Sequence, residues 1–181
     1  MEKTLTNKKI YLAGSCATEH RNIMVNVASF LRAKSFDVFC PFELKLDEKD
    51  ENGNWTLSQE DWAQQVFEHD KAAIDAADIF LMISPGRVST AGTNWEQGYA
   101  YANNKLILVF QYTEEKTSIM TYCTANEFIN VNSENIIENI NNVINYIKLD
   151  KTNNKLVYTK VKDVCKTIYG QKEIRNLKNK S

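Results

Sequence analysis

The sequence predicts an α/β domain built on a parallel sheet. Two apolar runs, Ile79-Phe80-Leu81-Met82-Ile83-Ser84 and Leu106-Ile107-Leu108-Val109-Phe110, are continuous rather than alternating, as in strands covered on both faces. Segments with apolar side chains at helical spacing separate the strand-like runs, an alternation that builds βαβ units.

Each element has its own justification. A first strand falls at residues 10–13, and a helix follows over 19–33, with Met24, Val27, Ala28 and Leu31 at i, i+3, i+4 and i+7. The second strand is residues 36–40. Residues 41–57 carry Asp-Glu-Lys-Asp-Glu-Asn-Gly-Asn at their middle and lack any apolar period. A connection this long is either functional or a solvated insertion, and only Phe42 and Glu43, at its sheet end, are expected to reach a ligand. A helix then runs from Ser58 to about residue 76. Ser58-x-x-Asp61 is its capping box, and Trp62, Val66, Ala73, Ile74 and Ala77 form its stripe. The third strand, 79–84, stops at Pro85-Gly86. The next helix takes Thr93 as N-cap, and it leads to a fourth strand at 106–110, a short helix at 118–124 and a fifth strand at 128–131. The last core helix starts at Ser133 as N-cap and repeats Ile136, Ile137, Ile140, Val143, Ile144 and Ile147.

A chain of 181 residues with 43% hydrophobic content suits one full core. That domain is placed at residues 1–150, with a tail at 151–181. The tail holds nine Lys or Arg against two acids, while residues 1–150 hold thirteen against twenty-one. Such asymmetry fits a nucleic-acid arm or a segment docked on a neighbour. The few aromatics, Tyr158 and Tyr169, together with Leu156-Val157-Tyr158 and Val161-x-x-Val164-x-x-x-Ile168, favour docking and a strand or short helix. No run of 18 apolar residues and no apolar N-terminal segment is present, so a cytoplasmic protein without a membrane partner is expected. The four cysteines lack CxxC spacing and there are two histidines, so no metal centre and no cofactor is expected. Cys16, at the exit of strand one, is a candidate nucleophile only in principle, since neither histidine is matched to it.

Two carboxylates stand in unusual places. Glu96 lies just inside a helix that follows a buried strand, where open α/β sheets bind ligands; it is either half of a Thr93-x-x-Glu96 capping box or a reactive group. Gly98 costs about 1 kcal/mol against Ala in a helix, which points to something approaching the backbone there. Asp70 shares a helix face with Val66 and Ile74. Buried without a partner its charge is expensive, so it is either satisfied by a backbone amide or Lys71, or it opens into a cleft shared with Glu96. Asp75 and Asp78 receive no role.

The order Lys9-Ile10-Tyr11-Leu12-Ala13-Gly14-Ser15, Pro41-Phe42-Glu43, Asp70 within Val66-Phe67-Glu68-His69-Asp70, then Gly92-Thr93-x-x-Glu96-x-Gly98-x-Ala100 resembles the nucleoside 2-deoxyribosyltransferase family over about residues 8–131. The resemblance implies a flavodoxin-like three-layer sandwich with a five-stranded parallel sheet, and transfer of 2-deoxyribose between nucleobases. It places the nucleophile on Glu96, the base-side acid on Asp70 and the strand-one tyrosine on Tyr11. Substrate contacts fall on Gly14, Ser15, Phe42, Thr90, Gly92 and Thr93. Relatives carry an aspartate six residues before the nucleophile, contacting the base; this chain has Thr90, so weaker base discrimination is expected. The resemblance also implies a homo-oligomer in which a polar side chain from an adjacent subunit, here Asn126 or the next residue Glu127, completes each site. The implied partners are a 2'-deoxynucleoside and a free base.

The chemistry of these residue types agrees. Breaking an N-glycosidic bond gives an oxocarbenium-like transition state that a carboxylate can capture in a retaining double displacement. Glu96, kept ionised by its helix N-terminus and the Tyr11 hydroxyl, is the candidate for that attack, and Asp70, raised by burial, protonates the leaving base. Phe42, Trp55 and Trp95 are either walls that exclude water or ordinary core. Two other readings stay open: hydrolysis of a nucleoside or a monophosphate, with Ser15, Thr18 and Arg21 as phosphate contacts, and a non-catalytic nucleotide sensor.

Overall fold

The structure, a computed structural model, describes residues 5–159 except 6, 16, 18–19, 47–48, 87–90, 151 and 153–154. Five parallel strands form the sheet: β1 (Lys9–Gly14), β2 (Asp37–Phe39), β3 (Ile79–Ser84), β4 (Leu106–Gln111) and β5 (Glu127–Asn130), in the order β2-β1-β3-β4-β5. This is the flavodoxin-type strand order. Every residue of β3 and of β4 is buried, which is why both read as unbroken apolar runs.

Helices cover both faces. On one side α1 (Arg21–Ala33) and α5 (Ile136–Ile144) pack on Ile10, Leu12, Leu81 and Leu108. On the other, α2 (Gln59–Ala76), α3 (Ala91–Ala102) and α4 (Ile119–Thr124) lie over the face where Tyr11, Ala13, Phe80, Met82 and Val109 form the second apolar cluster. Alternation along β1 therefore decides which layer each of its side chains meets.

The helix ends differ from expectation at three places. Ser58 caps α2 as its spacing implies, accepting from the Asp61 amide at 3.0 Å. Thr93, in contrast, is the third residue of α3 and not its cap, because the helix already begins at Ala91. At the start of the last helix Asn132, not Ser133, accepts from a backbone amide, that of Glu134, within a 3-10 turn over Ser133–Asn135. Ile147, expected at the end of α5, opens a strand instead: β6 (Ile147–Asp150) pairs antiparallel with β7 (Lys155–Tyr158). The strand reading of Leu156-Val157-Tyr158 holds, while Val161, Val164, Ile168 and Tyr169 lie outside the described residues. Trp62, placed on the inner stripe of α2, is 43% exposed. Among the described residues no helix is long and apolar enough to cross a membrane.

Candidate active site

The site grows from the middle of the sheet. Tyr11 on β1 is paired with Phe39 of β2 and Phe80 of β3, and its ring stacks between theirs, with centroids 5.5 and 5.6 Å away and planes within 15°. The ring is wholly buried between the two, and its hydroxyl bonds to Asp70 on α2 and to Glu96 on α3.

Burial, the larger effect, lifts the Asp70 carboxyl to about 6, against a downward pull from the Tyr11 hydroxyl. Glu96 is lifted to about 7 by burial and then by the charge of Asp70, again opposed by the same hydroxyl. Two carboxyls so placed cannot both ionise easily, and the pair holds one proton near neutrality. The expectation that the helix N-terminus keeps Glu96 the more acidic of the two is reversed, because Glu96 pays both burial and the neighbouring charge. One carboxylate and one carboxylic acid side by side can serve as a nucleophile and a proton donor.

Gly14, Met24, Pro41, Phe42, Asp70, Gly92, Thr93 and Glu96 line a small cleft of about 70 Å3 at the carboxyl end of β1. A Cβ at Gly14 would come within 2.5 Å of the Met24 sulfur, so a side chain there would require the Met24 thioether to move aside. Thr93 reaches across from α3 and donates its hydroxyl to the Gly14 carbonyl at 3.1 Å, so it straps the helix bearing Glu96 to the strand bearing Tyr11.

Other candidates lie elsewhere. Ser15 is buried beside the cleft without lining it, and its hydroxyl accepts from the Ala17 amide at 3.3 Å. Glu43 does not reach the cleft, because Arg32 holds it in a two-pronged ion pair. Trp55 is 63% exposed against Lys49, and Trp95, 46% exposed, stacks on Tyr99 and Phe67; neither walls the cleft. At Gly98 a Cβ would meet no atom within 4 Å among the described residues. Asn126 accepts from the Ile107 amide at 2.8 Å, at the amino end of β4, and is not part of this chain's cleft. Thr90, Thr18 and Cys16 lie outside the described residues. Among the described residues no group of His, Cys, Asp and Glu side chains gathers to hold a metal ion.

Two residues with supporting parts gave little sequence signal. Asp75 takes a bond from Tyr99 and an ion pair from Lys71, both at 2.8 Å, and so clamps α2 to α3. Gln97, buried on α3, donates to the Thr121 carbonyl at 2.8 Å and the Thr124 hydroxyl at 2.9 Å, fixing α3 to α4.

A profile described as nucleoside 2-deoxyribosyltransferase matches residues 10–147. The chain belongs to the nucleoside 2-deoxyribosyltransferase family. Among solved structures, the 2-deoxyribosyltransferase of Bacillus psychrosaccharolyticus is 26% identical, with TM-score 0.61, over 83% of this chain and 98% of that one. A CMP N-glycosidase of Clostridium botulinum, BcmB, shares the fold at 19% identity and TM-score 0.51, over 74% of this chain and 99% of its own. A conserved protein of Enterococcus faecalis V583 does so at 15% and 0.52, over 76% and 99%. No curated protein matches the chain significantly. The family match spans Tyr11, Asp70 and Glu96.

Proposed function

We propose that this protein transfers 2-deoxyribose between nucleobases through a covalent sugar–Glu96 intermediate. The observation that carries the reading is the meeting of Asp70 and Glu96, at the cleft by the carboxyl end of β1, with the Tyr11 hydroxyl from the middle of that strand, both carboxyls being raised toward neutrality. The pair shares one proton. In the minor form, with the proton on Asp70, the ionised Glu96 attacks C1' of the deoxynucleoside, the C1'–N bond breaks, and its electron pair leaves on the base, which takes the Asp70 proton. An incoming base then attacks C1' through a ring nitrogen, the Glu96–sugar bond breaks, and the proton lost by that nitrogen returns to Asp70. The Tyr11 hydroxyl supports the charged form of each carboxyl in turn. Gly14, Phe42, Gly92 and Thr93 shape the cleft, which keeps water from the intermediate.

Incubation of the protein with deoxyadenosine and free cytosine tests this. Deoxycytidine is the expected product. Deoxyribose with no exchanged nucleoside supports hydrolysis, the reading that Thr90 in place of the relatives' aspartate keeps in view, and absence of both products supports a sensor. The homo-oligomer belongs to the same proposal. Its support is the apolar exposure of Trp95, Tyr101, Ile119 and Met120 on α3 and α4, together with Asn126 standing apart from its own cleft. Sedimentation of a single monomeric species would refute it.

A further inference from the structure

β5 is an edge strand of the sheet, and all four of its residues line one wall of a groove of about 680 Å3. Asn139, Asn142 and Val143 of α5 form another wall, and Tyr146 and Tyr158, whose rings meet at 6.2 Å, complete it. An edge strand offers unpaired N–H and C=O groups to a further strand, and extended segments bind such edges through their main chains. Asparagine amides supply both donors and acceptors to a peptide backbone.

The groove also holds one carboxyl and no cation among the described residues that line it. The carboxyl is that of Glu127, which is 7% exposed in its wall. Burial and the Glu127 charge push the Tyr158 phenol up, so it stays protonated beside that carboxylate. The chain itself leads to the groove: Thr159 gives both its amide, at 3.0 Å, and its hydroxyl, at 2.8 Å, to the carbonyl of Tyr146. Residues 160–181, outside the described residues, carry seven Lys or Arg against two acids, and the family match ends before them, at residue 147.

We propose that the β5 groove is the docking site for the chain's own basic residues 160–181, which add to the sheet edge within the same copy. Hydrogen exchange tests it, on the full chain, on a chain ending after Thr159, and on a full-length Asn142→Lys variant that sets a like charge in the groove wall. Both apolar clusters lie within residues 5–158, so the shortened chain keeps its cores. The β5 amides are expected to exchange at least about tenfold faster in both altered chains while those of β1 and β3 are unchanged. Equal β5 exchange in all three chains overturns the proposal, and so does protection that fades on dilution, as a segment lent by a second copy would show. Should the shortened chain exchange faster throughout, Asn142→Lys decides: undiminished β5 protection there overturns the proposal.

Discussion

Tyr11 bonds to both raised carboxyls, while Asp70 and Glu96 divide one proton between them. Between about pH 6 and pH 7 the pair is singly protonated, so kcat/KM is expected to trace a bell with its maximum there. Replacing Asp70 with Asn removes the proton donor and the charge that lifts Glu96. The alkaline fall should then vanish, the acidic limb should move to lower pH, and the loss of rate should be greatest for poor leaving bases. An alkaline limb that persists in Asp70→Asn would place the donor elsewhere. Glu96→Ala should lower turnover by at least about three orders of magnitude, the scale of losing a nucleophile, with the circular dichroism of the folded state preserved. More than a few per cent of activity in that folded variant would dismiss Glu96 as nucleophile, on the same scale.

At the scale of elements the decisive joint is between α3 and β1. The Thr93 hydroxyl bonds the Gly14 carbonyl, holding Glu96 one turn later in register with Tyr11. Thr93→Val keeps the shape and loses the bond. We expect a stability loss of about 1 kcal/mol, a fall in kcat of about tenfold for a misplaced nucleophile, and recovery of both in Thr93→Ser. If Val lowers stability alone, the strap does not set the site. That role was hidden because a threonine three residues before a glutamate spells a capping box, and only the true start of the helix, at Ala91, separates the two. The strands were more legible. β3 and β4 announce themselves because both faces are covered, and α1 because its inner stripe is regular. Ile147 misled for a related reason: it continues the stripe of Ile140, Val143 and Ile144, yet it is buried in a strand after the helix has ended. For Glu43, a partner eleven residues back in the sequence consumed the charge, and no local pattern reports such a pairing. Asp70 and Glu96 were legible because each breaks a local rule, a charge on an inner stripe and a carboxylate at a strand exit.

For the molecule as a whole, a site of raised carboxyls is a load on the fold. The folded value of Glu96, about 7, lies above its unfolded value of 4.5. Below both values each state holds the proton and nothing is gained or lost. Between about 4.5 and about 7 the unfolded chain ionises while the folded one keeps its proton, so stability from this group is lost across that window and stays lost above it. Glu96→Gln should melt higher than the wild type at pH 8, by about 1–3 kcal/mol, and should match it at pH 4. An equal gain at both values would mean that the effect is packing and not charge. The strand order carries another consequence. β1 is inside the sheet and pairs with β3, Ile10 lying beside Ile79, so Tyr11 finds its second stacking partner only when distant parts of the chain close on each other. Non-local strand pairing over that span forms more slowly than the local helices, and the helices that bear the two carboxyls complete their packing on β1 only when it happens. The site and the centre of the sheet should therefore form in one kinetic event: on refolding, the near-ultraviolet signal of the buried aromatics and the return of turnover should share a single rate constant.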